Sequence, residues 1–73
     1  MVKLPVLSGD DLVRALKRCG FKIVRQKGSH VSLQKETHRT VVPLHKELAK
    51  GTILGVLKQC GLTVEELRTL LKR

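Results

Sequence analysis

The residues best suited to chemistry lie near the middle of the chain. His30 follows Gly28-Ser29 and opens an alternation: His30, Ser32 and Gln34 fall on one strand face, Val31 and Leu33 on the other. With the apolar pair turned inward, the imidazole projects from an open face. Arg25 and Lys27 are near in sequence, and Arg39 is expected alongside from the following strand. A neutral imidazole can take the proton of a ribose 2′-OH, which then attacks its own phosphate. Lys and Arg beside it would hold the phosphate and the charge that develops on it. Cations around an imidazole also disfavour its protonated form, leaving the base available. This is the minimum apparatus for cleaving RNA without a metal. Single exposed histidines are common on solvated strands, so position alone favours the plainer reading of His30 as a surface residue.

Other groups also carry two readings each. His45 and Lys46 open a basic loop, and Gly51-Thr52 at a helix start, with Lys50, offers backbone N–H groups to an anion. An ordinary helix cap with surface lysines explains the same residues equally well. His38 sits in a polar turn beside Glu36, with no role assigned. Cys19 and Cys60 each precede a glycine at a helix end, where they read as small packed hydrophobes. The partial negative charge of a helix C-terminus opposes a thiolate there. No C-x-x-C, H-x-x-x-H or H-E-x-x-H spacing occurs, and the carboxylates are too few for a two-metal site. Neither a metal nor a small-molecule cofactor is expected, and no glycine-rich nucleotide loop is present.

The charge balance points to the same partner as His30. Fifteen Lys and Arg against six acids give a net charge of +9, with a pI near 10.3. So small a body with that field favours a polyanion, nucleic acid first. One Phe, with no Trp or Tyr, argues against recognition by base stacking. Phosphate contacts and shape are left to carry the binding. At 73 residues a single domain spanning 1–73 is expected, too small for a deep closed cavity. Apolar runs are only a few residues long, so neither a membrane span nor a signal-peptide core is expected and the chain reads as cytoplasmic.

The elements that must position these groups are legible from period and punctuation. Ser8 and Asp11 have capping-box spacing before the stripe Leu12, Val13, Leu16 and Cys19, and Gly20 ends the helix. Phe21, Ile23 and Val24 begin a strand that closes at Lys27-Gly28. Val31 and Leu33 mark a second strand, and Arg39 to Val42 a third, stopped by Pro43. Short links imply an antiparallel meander. Thr52 is placed to cap a helix carrying Ile53, Val56, Leu57 and Cys60. Thr63 and Glu66 form a second capping box before Leu67, Leu70 and Leu71. The order α-β-β-β-α-α implies an α+β fold with helices covering one sheet face. One conflict stands in the first strand. Phe21 and Ile23 share parity with Arg25 and Lys27, which would turn those cations toward the helices unless the strand bends.

Several fragments together resemble a known family. They are Gly28-Ser29-His30 after a helix ending in Gly20-Phe21, then Val41-Val42-Pro43, His45-Lys46-Glu47-Leu48, Lys50-Gly51-Thr52 and Leu57-Lys58-Gln59-Cys60-Gly61-Leu62. Their order resembles the HicA family of bacterial toxins, the YcfA-like proteins, from about Ser8 to Leu67. The chain departs from that pattern at Ile53-Leu54, where the family often reads Leu-Arg, and at Leu33, where it often has an aromatic. The resemblance implies a double-stranded-RNA-binding-domain-like fold and an mRNA interferase whose single catalytic histidine falls on His30. It also implies a HicB-type antitoxin that covers the active face.

The resulting expectation is a metal-independent endoribonuclease toxin acting on mRNA, with His30 as general base. Arg25, Lys27, Ser29, Arg39 and Lys46 are its candidate phosphate-binding residues, and the general acid is unassigned among His45, a lysine and water. The rival is a non-catalytic RNA-binding module using the same basic face. A basic adaptor for an acidic protein is a third reading.

Overall fold

The computed structural model describes residues 4–72. Helix α1 spans Gly9–Arg18. Its start is set by the capping box: the Asp11 N–H donates to Ser8 Oγ at 3.1 Å and the Ser8 N–H donates to Asp11 Oδ2 at 3.1 Å. The backbone bond from Ser8, with the Arg14 guanidinium 2.8 Å away, holds the Asp11 carboxyl below the usual carboxylate range. Leu12, Val13, Ala15 and Leu16 are buried, forming the apolar stripe. Gly20 takes φ 106° just past the helix, a conformation open mainly to glycine. There Lys35 Nζ donates to the Cys19 carbonyl at 2.7 Å, a cation placed at the negative end of the helix.

Strands β1 (Lys22–Lys27), β2 (His30–Lys35) and β3 (His38–Pro43) follow, then α2 (Lys50–Cys60) and α3 (Val64–Leu71). The sheet runs β1-β2-β3, antiparallel throughout. The expected α+β meander with helices on one face is what forms. Val31 and Leu33 of β2 and Val42 of β3 are buried against Leu12, Leu16, Ile53, Val56, Leu57 and Leu67 of the helices. Leu33, where the family often has an aromatic, is fully buried. Helix α2 packs on β3, α1 lies over β1 and β3, and α3 closes the layer against α1 and α2. Phe21 is buried but precedes the first strand, and all six residues of β1 are exposed. The outer strand thus extends beyond the helical cover.

Two expectations need correcting. Thr52 does not cap α2. The helix starts at Lys50 behind Ala49, which makes no side-chain cap bond. Tertiary anchoring sets this start: buried Leu48 donates its N–H to the Leu7 carbonyl at 2.9 Å, and the Ile53 N–H then reaches Ala49. His38 is also not idle in a turn. It opens β3, its Nδ1 lies 3.1 Å from the Gln59 carbonyl, and its ring faces Gly61 at the end of α2. Beside it, buried Thr40 donates from Oγ1 to Gln59 Oε1 at 2.7 Å, so the sheet's polar contact with α2 is satisfied. The second capping box forms as expected, with the Glu66 N–H donating to Thr63 Oγ1 at 3.1 Å and the Thr63 N–H donating to Glu66 Oε1 at 2.9 Å.

The thiols follow their surroundings. Cys60 is buried and Cys19 half-buried, both unpaired. Burial, reinforced by Cys19 and opposed by the Thr40 hydrogen bond, pushes the Cys60 thiol up from 9.0 to about 11. The folded thiol titrates above the unfolded one, so its contribution to stability holds below pH 9 and fades toward 11. At pH 8, iodoacetamide is expected to alkylate Cys60 about a hundredfold more slowly in the folded than in the unfolded protein. Mass spectrometry of timed digests checks this. Equal rates in the two states would mean the α2–β3 seam is open.

Candidate functional site

The open face is read from the ladder. On its β1 side, β2 pairs Lys27 with His30, Gln26 with Val31 and Arg25 with Ser32, then Ile23 with Leu33 and Lys22 with Gln34. Two residues of β1 are therefore spanned between Arg25 and Ile23 against one of β2, and Val24 is the extra residue. A bulge of this kind reverses side-chain parity on passing it. Ile23 keeps the helix-side parity of Leu33, whereas Arg25 and Lys27 share the face of Ser32 and His30. The parity conflict in the sequence is resolved by one unpaired valine.

The β3 side completes the face. Pro43 lies opposite His30, Val41 opposite Ser32 and Arg39 opposite Gln34. Three rows result: Lys27–His30–Pro43, Arg25–Ser32–Val41 and Lys22–Gln34–Arg39. Directly opposed residues have Cβ atoms about 5 Å apart, and successive rows are about 6.6 Å apart along the strand. Arg39 therefore does not stand alongside His30. It lies two rows away, about 13 Å along the sheet, because a two-residue turn at Glu36-Thr37 fixes the second hairpin so that Pro43 reaches the histidine. Lys22, by contrast, belongs to the face and was missed. Its parity opposite to Ile23 was the available signal.

The backbone of His30 is held on both sides. It closes the first hairpin directly after Gly28-Ser29, with Gly28 at φ 58°. The Ser29 carbonyl accepts from the Leu44 N–H at 2.7 Å, tying that turn to the end of β3. The His30 side chain is exposed, as are Arg25, Lys27, Ser29 and Arg39. Ser29 contributes its carbonyl to the turn and lies off the rows. Lys46 is exposed in the loop beyond β3, also outside the rows, and His45 there accepts through its carbonyl from the Gly9 N–H at 2.9 Å.

None of the paired open-face positions is acidic. Asp10 and Asp11 sit in the first turn of α1, and Glu65 and Glu66 in the first turn of α3, where they complement the helix dipoles. Several cations are consumed structurally. Lys35 ends α1, Arg14 pairs with Asp11, and Arg18 donates to the Leu70 carbonyl at 2.8 Å. Among the described residues, those of the open face make no such contacts. An accessible imidazole with Lys27 directly opposite and Arg25 one row on can accept a proton beside a bound phosphate. Among the described residues no three His, Cys, Asp or Glu side chains gather as a metal-ligand group, and no helix is long and apolar enough to cross a membrane.

Comparison with known proteins agrees with the fold and extends it. No curated protein matches the chain. A family model described as the HicA toxin of bacterial toxin-antitoxin matches residues 9–62, from the first residue of α1 to just past α2 and including all three strands. With that match covering most of its length, the chain belongs to the HicA toxin family of bacterial toxin-antitoxin systems.

Proposed function

We propose that this toxin is a metal-independent endoribonuclease acting on mRNA, with His30 as the general base. The observation that carries the reading is an exposed imidazole on an acid-free, cationic sheet face in a chain of this family. His30 takes the proton of a ribose 2′-OH. The oxygen attacks the adjacent phosphorus, and the bond to the 5′-oxygen of the next nucleotide breaks. The products are a 2′,3′-cyclic phosphate and a 5′-OH once the leaving oxygen is protonated. Lys27, directly opposite, is best placed to meet the charge on the phosphate.

Family membership brings an antitoxin partner. In our reading that partner is of the HicB type and silences the toxin by covering this face, with carboxylates set against Arg25, Lys27 and His30.

The test is incubation of the purified toxin with RNA in excess EDTA. Cleavage is expected to continue and to leave cyclic-phosphate ends. An RNA with a single 2′-deoxy sugar should be spared at that linkage. Cleavage of an all-deoxy strand, or loss of activity on chelation, would remove the mechanism.

A further inference from the structure

We propose that the toxin holds its RNA as one extended single strand running along β2. The scissile linkage lies over the Lys27–His30 row, and the next two phosphates on one side lie on Arg25 and on the Lys22–Arg39 pair. The inference rests on the nuclease reading for its register, and on the sheet geometry alone for the track.

Three observations support the track. The cationic rows are collinear and repeat about every 6.6 Å, close to the separation of successive phosphates in an extended strand. The face is three strands wide, about 10 Å between its outer strands, which accommodates one backbone and not the two of a duplex. Its paired positions carry no Phe, Tyr or Trp, so contact is with phosphate and sugar, leaving the bases outward except where Val41, 46% exposed, offers an apolar seat in the middle row.

The track is one-sided. His30 stands in the first row, directly after the turn, and every further row of the sheet lies in the same direction. Footprint and cleavage point are therefore offset. The sheet should engage two phosphates on one side of the cut and none on the other.

The first test does not depend on cleavage. Binding of a short 2′-O-methyl oligouridylate is followed by fluorescence anisotropy across a salt series. Three phosphates neutralised on a single strand give a log–log slope of about −2.1, each contributing about 0.7. Arg25→Ala should reduce the slope by one such step, and Lys22→Ala combined with Arg39→Ala should reduce it by one more. Arg68→Ala, on α3, should leave it unchanged. Equal losses at Arg68, or tighter binding of an adenylate–uridylate duplex of the same length, would overturn the track.

The second test reads the register. In a DNA strand with one ribonucleotide, methylphosphonates replace single phosphates on either side of the cut. Neutralising the first or second phosphate on one side should slow cleavage several-fold, and Arg25→Ala should abolish sensitivity to the first. Equal sensitivity on both sides would overturn the offset. If the strand binds with the expected slope but is never cut, the nuclease reading fails while the track stands.

Discussion

Replacing His30 with alanine is expected to lower RNA cleavage by about 10² to 10⁴-fold, the usual contribution of a positioned proton acceptor, and to abolish growth arrest on expression. The fold should not notice. The ring is exposed, and substitutions at such positions usually shift stability by less than about 0.5 kcal/mol. RNA affinity should also change little, because the counterions released on binding are those at the neighbouring lysines and arginines. The combination is diagnostic: cleavage lost, binding and unfolding midpoint kept. A non-catalytic binding module predicts no cleavage in either protein. A variant cutting at the wild-type rate would place the base elsewhere.

The second large effect is expected from a residue with no functional group. Gly9 begins α1, and a Cβ built on it would run into the Pro43 carbonyl oxygen and lie 2.7 Å from Leu44 Cα. Both are backbone atoms, so no side-chain rotation relieves the clash. Gly9→Ala should therefore cost about 3 kcal/mol, the upper end for overpacking, a large share of the roughly 4–11 kcal/mol expected for a chain this size. The helix-propensity gain of up to about 1 kcal/mol does not offset it. Gly55 is the control. It sits within α2 with open space where a Cβ would go, so Gly55→Ala should stabilise by up to about 1 kcal/mol. Chemical denaturation measures both. The clash also bears on activity, because Pro43 faces His30 and Leu44 holds the Ser29 turn. Gly9→Ala should reduce cleavage in the fraction that remains folded, and Gly55→Ala should not.

What could be read beforehand followed the range of the interactions. The capping boxes at Ser8 and Thr63 were legible because each is closed within four residues. So was the alternation of His30 to Gln34, which needs only its own strand. The start of α2 was hidden because Leu48 is anchored by Leu7, some forty residues earlier. Arg39 was misplaced along the sheet because hairpin register depends on where a turn falls, and Glu36 adopts φ 55° without being a glycine. Gly9 gave no signal, since its restriction comes from a strand end distant in sequence. Family resemblance raised His30 above its plainer reading but placed none of the cations around it.

The unpaired valine in β1 means that inheritance here works partly by counting codons. An in-frame loss of Val24 would restore a regular ladder and leave Arg25 and Lys27 where they are. Loss of Gln26, two codons downstream, would shorten the gene equally. With the Gly28-Ser29 turn still pairing Lys27 with His30, Arg25 would then slide beneath the sheet and Val24 would surface in its place. Two lineages with nearly identical letters could thus carry poisons of different potency.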